Sequence, residues 1–154
     1  MSTAEALLTP EIRPMRDSDL DMVMEIERAS FSTPWSSSTF RGLLQRSDAS
    51  LWVAQVGGRV VGYAVVWYSF REAELGNLAV APGWRRCGLG TQLLDWALQK
   101  ARERGTERVF LEVRVGNRIA QQLYERYGFS QVGLRRRYYR APVEDARVMC
   151  LSLR

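Results

Sequence analysis

The chain has 154 residues, 46% hydrophobic and 25% charged, the balance of one ordinary globular domain that folds without disulfide or metal staples. Its net charge is +5 and it contains no histidine, which excludes Ser-His-Asp and Cys-His catalysis, histidine-ligated metal and imidazole acid/base chemistry. Cys87 and Cys150 lack CxxC spacing, so no metal site or dithiol motif is expected.

The N-terminal MSTAEALLTP has neither a basic start nor an apolar stretch of signal-peptide length. Residues 1–10 read as an extension with room for flexibility, and residues 11–154 as one domain. Ile12 to Met15 reads as a short strand. Asp17-Ser18-Asp19 then offers a helix N-cap, followed by Leu20, Val23, Met24 and Glu27 at helical spacing to about Ser30. Ser32-Thr33-Pro34-Trp35 is a turn, and the serines at 36–38 open a short helix to about Gln45. Leu51 to Val56 and Val60 to Tyr68 are strands joined by Gly57-Gly58, a two-residue hairpin turn that needs positive φ at both positions. Val60 to Tyr68 is also the longest nearly apolar run, roughly half a membrane span. A cytoplasmic protein with no membrane partner is expected. Glu72 to Val80 completes an antiparallel meander.

After Pro82 the period changes. Leu89, Leu93, Ala97 and Ala101 share one helical face, so Gly88 to Arg104 is an amphipathic helix closed by Gly105. Val109, Leu111 and Val113 alternate as a strand. Asn117 caps a helix to about Tyr127, which Gly128 ends. Phe129 to Arg136 and Arg147 to Leu153 are the last strands. The fold class is α/β in the α+β sense: a single mixed, largely antiparallel sheet flanked by helices.

Charge is unevenly spread. Residues 1–30 carry three Arg against seven acids, a net of −4; residues 84–118 carry eight basic residues against four acids, a net of +4. Such a molecule can hold an anion at one end and a cation at the other.

Arg85-Arg86-Cys87-Gly88-Leu89-Gly90 lies between a strand and a helix N-terminus. There the unpaired backbone N–H groups and the positive end of the helix dipole converge, and glycines let an anion approach closely. That is a phosphate cradle, though neither a Walker loop nor GxGxxG.

Leu78-Ala79-Val80-x-Pro82-x-x-Arg85-Arg86-x-Gly88-Leu89-Gly90, followed by Leu93-Leu94, resembles the acetyl-CoA signature of the GNAT acetyltransferases. Leu111-Glu112-Val113-Arg114-Val115-Gly116-Asn117, Ala120-x-x-Leu123-Tyr124-x-x-Tyr127-Gly128-Phe129, Arg136-x-Tyr138-Tyr139, Glu144-Asp145-Ala146 and Pro34-Trp35-Ser36-x-x-x-Phe40 are similar to the RimI-type branch, ribosomal-protein alanine N-acetyltransferases. The resemblance covers about residues 11–154. It implies a GNAT fold and transfer of acetyl, by direct attack, from acetyl-CoA to the α-amine of an N-terminal alanine such as that of ribosomal protein S18. It implies cofactor contacts at Leu78, Ala79 and Val80, at Arg85, Arg86, Cys87, Gly88, Leu89 and Gly90, and at Asn117. It also implies Glu112 as general base and Tyr124 as general acid. Where the family commonly has Ser before the Asn, this chain has Gly116, which puts local cofactor contacts at issue.

The residues make independent sense of that chemistry. A terminal amine with pKa near 8 is largely protonated at pH 7, so a base must free it, and the departing thiolate needs a proton. Without histidine, a carboxylate and a phenol are the natural pair. Glu112 sits mid-strand between Leu111 and Val113; an ion pair with an arginine is an equally open reading. Tyr124 can equally be core with its polar tip outward. Glu72 and Glu74 are competing bases. Trp35 and Tyr138 are expected to wall the acceptor's first residues, with Asp19, Asp21, Glu25 and Glu27 steering a basic peptide. Two alternatives remain: a GNAT acting on a small amine or a protein lysine, and a non-enzymatic RNA or ribosome binder using Arg135-Arg136-Arg137 and Tyr138-Tyr139. The second lacks an RNA-recognition motif, and no nucleic-acid partner is expected.

Overall fold

The computed structural model describes residues 9–153. Of the proposed extension, residues 1–8 lie outside the described residues, and Thr9 and Pro10 precede the first strand without regular structure. The elements run β1 (Glu11–Pro14), α1 (Leu20–Ser30), α2 (Ser37–Leu44), β2 (Ala49–Val56), β3 (Arg59–Ser69), β4 (Glu72–Val80), α3 (Leu89–Glu103), β5 (Arg108–Arg114), α4 (Arg118–Arg126), β6 (Ser130–Tyr139) and β7 (Glu144–Ser152). One seven-stranded sheet has the order β1-β2-β3-β4-β5-β7-β6. Every neighbouring pair is antiparallel except β4 and β5.

Local chemistry sets these boundaries. Gly57 and Gly58 take φ of 56° and 82°, so the β2–β3 hairpin turns in two residues. Ser36 Oγ accepts from Thr39 N and caps α2, and Asn117 Oδ1 accepts from Ala120 N and caps α4. Gly105 and Gly128 end α3 and α4 with φ of 85° and 98°. One expected cap is different. Asp19 makes no side-chain cap on α1; its carboxylate accepts instead from Arg16 N at 2.7 Å and pairs with Arg13 at 2.8 Å.

The sheet buries an apolar layer on each face. Leu89, Leu93, Leu94, Ala97 and Leu98 of α3 and Tyr124 of α4 cover Trp52, Ala54, Val66, Leu75, Val109 and Leu111. Val23, Met24 and Ile26 of α1, with Phe40 and Leu43 of α2, cover Leu51, Val53, Tyr63 and Val65 on the other. The alternation within β2, Leu51 and Val53 to one face and Trp52 and Ala54 to the other, is the period of a strand covered on both sides. Each such aliphatic side chain contributes about 1.5–3 kcal/mol.

The parallel pairing positions the site. It runs only from Glu72↔Arg108 to Leu75↔Leu111, although β4 continues to Val80 and β5 to Arg114. At the point of separation Gly76 is an extra residue in β4, because Val65 pairs with Asn77 and Val66 with Leu75. The bulge bends β4 away from β5 and opens a slot through the sheet.

Candidate active site

A cleft of about 390 Å³ occupies this slot. On β5, Leu111 and Val113 belong to the layer under α3 and α4, so alternation turns Glu112 toward the α1/α2 face. Tyr124 rises from α4 on the opposite face. The cleft touches both, along with Leu78, Asn117, Trp35 and Tyr138. The slot therefore joins a carboxylate on one side of the sheet to a phenol on the other.

At the cofactor end, Gly88 stands at the N-cap of α3 with φ 82°, after Arg86 at φ 65°. The first α3 N–H known to be taken by the helix is that of Gln92, which donates to Gly88 O. Those of Leu89, Gly90 and Thr91 before it form an anion-binding helix start. A Cβ on Gly90 would meet nothing nearer than Val80 Cγ2 at 3.9 Å, so its outer side is open. Arg85 folds back, its Nε donating to Val80 O at 3.0 Å and its Nη2 to Ser30 Oγ at 3.1 Å. Cys87 Sγ donates to Trp84 O. Leu89 and Ala79 turn their side chains into the two cores, leaving only their backbone for a ligand; Leu78 and Val80 are half-buried. This end fits the pyrophosphate of acetyl-CoA through backbone donors and an exposed Arg86. Asn117 lines the cleft beside it while capping α4. Gly116 N donates to Glu144 Oε2 at 2.6 Å, and a Cβ there would stand 2.5 Å from that oxygen. The glycine matches a position where any side chain would displace Glu144.

Glu112 is 15% exposed and accepts from Arg135 Nη1 at 2.7 Å. The ion pair and the place in the cleft coexist. Arg135 also lies 4.2 Å over the Tyr138 ring, while Arg114 lies 4.2 Å over that of Tyr139; part of the Arg-Tyr cluster is thus engaged within the fold. Burial, then the Glu112 carboxylate, raises the Tyr138 phenol. Tyr124 is 9% exposed, and desolvation pushes its phenol up to about 12, which keeps it protonated. Its hydroxyl makes no hydrogen bond among the described residues, and its ring packs on Phe129 at 5.7 Å. Of the competing carboxylates, Glu74 lines the cleft and accepts from Trp67 Nε1 at 2.8 Å. Glu72 pairs with Arg108 at the closed end of the slot, outside the cleft.

Two acids assigned to steering are not solvated. Asp19 is buried against Arg13, whose guanidinium holds the carboxyl below the usual range. Glu27 is 1% exposed and lines the cleft wall. It accepts from Trp35 N at 2.8 Å, from Asn77 Nδ2 at 3.0 and 3.1 Å, and from the Tyr63 hydroxyl. Burial, reinforced by Glu27, pushes the Tyr63 phenol far up. Only Asp21 and Glu25 of that set face solvent. Trp67, Asn77, Arg114 and Tyr139 also line the cleft; Arg114 and Tyr139 fall within the motif blocks that carry the family resemblance, whereas Trp67 and Asn77 carry no sequence signal beyond their aromatic or polar character. Among the described residues no group of three or more Cys, Asp or Glu is placed to hold a metal, and no helix is long and apolar enough to cross a membrane.

Slot, helix-start cradle and flanking helices define an acyl-CoA-dependent acetyltransferase, and residues 20–129 match the acetyltransferase (GNAT) family; the chain belongs to that family. It is 36% identical over 143 residues, 92% of this chain and 95% of the other, to a Bacillus subtilis protein provisionally named a [ribosomal protein bS18]-alanine N-acetyltransferase. The crystal structure of the ribosomal-protein-S18-alanine N-acetyltransferase from Escherichia coli superposes with TM-score 0.88 at 33% identity, covering 94% of each chain. Ard1 from Thermoplasma volcanium gives TM-score 0.89 at 30% identity over 94% of this chain and 98% of that one.

Proposed function

We propose that this enzyme acetylates the α-amine of an N-terminal alanine, with ribosomal protein S18 as the protein acceptor. The observation that carries this reading is the slot between β4 and β5. Cofactor-side Leu78 and Asn117, acceptor-side Trp35 and Tyr138, and the candidate pair Glu112 and Tyr124 all line it. A ribosomal acceptor places the reaction in the cytoplasm.

Acetyl-CoA supplies an activated thioester, its pyrophosphate held by the Arg85–Gly90 loop and its thioester end beside Leu78, Ala79 and Val80. Glu112 takes the proton that the acceptor amine must lose. It is reached from the α1/α2 face, where Trp35 and Tyr138 bracket the first residue of the peptide. Tyr124, neutral at every physiological pH, points its O–H from the other face at the departing sulfur. A phenol near 12 is a weaker acid than an alkyl thiol near 8.5, so Tyr124 acts mainly by hydrogen-bonding the developing thiolate. The test is acetylation of a panel of N-terminal peptides with mass-spectrometric site mapping. Modification of the alanine α-amine supports the reading; modification confined to lysine side chains or small amines overturns it.

A further inference from the structure

Glu27 is the unexpected charge of this fold. A carboxylate has about four lone-pair sites, and Glu27 receives four hydrogen bonds, two on each oxygen, from Tyr63, Asn77 and the Trp35 backbone. Every partner is a neutral donor. No arginine or lysine among the described residues pairs with it, whereas buried Asp19 has Arg13. A buried carboxylate without a counter-cation is costly. This one sits in the wall of the acceptor cleft, behind Trp35. Its acceptor capacity is filled and it is 1% exposed, so it has no free site with which to take a proton from substrate. What remains available to a ligand is its field.

We propose that Glu27 is a specificity-determining residue whose buried negative charge selects an acceptor with a cationic reacting end, the protonated α-amine of a polypeptide. This rests on the α-amine reading above. The charge acts through low-dielectric protein, where it outweighs an exposed acid and escapes salt screening. It favours the ammonium form on arrival, leaving Glu112 the work of deprotonation. The same bonds fix the Trp35 wall to β4 through Asn77, so charge and shape must be separated by experiment.

Two peptides of one sequence do so: an alanine-terminated peptide, and its analogue with hydroxyl in place of the α-amine. Binding of each is measured by calorimetry with CoA present, so that no turnover occurs. The parent should prefer the amine by about tenfold or more, at low and at high salt alike. In Glu27→Gln the preference should collapse through weaker amine binding, the hydroxyl analogue and CoA being nearly unchanged. Glu27→Asp should restore much of it. Equal losses for both peptides would mean a purely structural wall and overturn the proposal, as would a parent with no preference, a result that does not depend on any variant folding. A parent that fails to acetylate the alanine peptide removes the α-amine reading and this inference together. A parent that acetylates it while Glu27→Gln keeps its preference removes this inference alone.

Discussion

Replacing Tyr124 by Phe separates catalysis from stability. The substitution keeps the ring that packs on Phe129 at 5.7 Å and removes a hydroxyl that bonds no described residue, so the folded state loses little. Thermal stability should change by less than about 1 kcal/mol, or about 2–4 °C in Tm for a chain of this size. Turnover should fall about 100-fold or more, the range for removing one hydrogen-bond donor aimed at a developing anion, which corresponds to about 2.7 kcal/mol of transition-state stabilisation. The affinity for acetyl-CoA should hold. The raised phenol gives a second readout. A tyrosine near 10 unfolded and about 12 folded keeps its proton more tightly in the native state. Its contribution is fully present below pH 10 and is lost as pH rises through 12. At pH 11 the parent should have lost about 1–1.5 kcal/mol through this group, and Tyr124→Phe should lack that share. Tyr127 and Tyr139, also raised to about 12, are common to both proteins and cancel. Stopped-flow or steady-state turnover, with urea melts at pH 9 and 11, reads both effects. Unchanged kcat would refute the assignment, and so would a fall in kcat that merely tracks a large loss of Tm.

Gly88→Val must force a β-branched residue to φ 82°, and Gly90→Val fills the open side of the helix start, so calorimetric acetyl-CoA affinity should collapse in both, with Gly90→Val the better folded. Glu112→Gln should lower kcat by about two orders of magnitude and alter the acidic limb of the pH–rate profile, whereas Glu72→Gln, outside the cleft, should leave kcat intact; the reverse order would show the base to be misassigned. Gly76→Ala would put a Cβ 2.3 Å from Trp67 Cζ3 and 3.1 Å from Trp35 Cη2, which should cost about 1–3 kcal/mol and raise the peptide KM; a parent-like melt and KM would mean that the ring swings away freely. Reversing Asp21 and Glu25 to lysine should raise the KM of a basic peptide only at low salt, and salt-independent kinetics would reduce both acids to a solvated helix face.

The elements were legible because their signals are local. Gly57-Gly58, the Asn117 cap and the α3 stripe each act within a few residues. The ends of β6 and β7 were not, since Tyr139↔Glu144 extends their pairing past irregularities that no alternation reveals. The spacing of Leu20, Val23 and Glu27 already put Glu27 on the apolar stripe of α1, yet its charge argued for solvent. What settles the conflict is Tyr63 and Asn77, 36 and 50 residues away, and such partners are invisible to a local reading. Asp19 is a milder case: its partner Arg13 lies only six residues back, but an Asp before a helix usually caps it. The loop and the candidate pair Glu112 and Tyr124 stand out in the sequence by residue type and motif. The slot that brings them together does not, because it depends on where two neighbouring strands, separated in the chain by α3, part.

Four residue pairs hold β4 to β5; beyond them each strand keeps only its outer partner, β3 for β4 as far as Val80 and β7 for β5 as far as Arg114. In the proposed function both ligands meet walls anchored on those two strands, the cofactor along Leu78 and the acceptor along Glu112. A ligand that orders those walls leaves less to be ordered by the other. Affinities coupled in this way are coupled reciprocally: whatever factor acetyl-CoA adds to peptide binding, the peptide returns to acetyl-CoA. Such coupling is symmetric, so its signature at the short seam is synergy between the two ligands, with neither required to bind first.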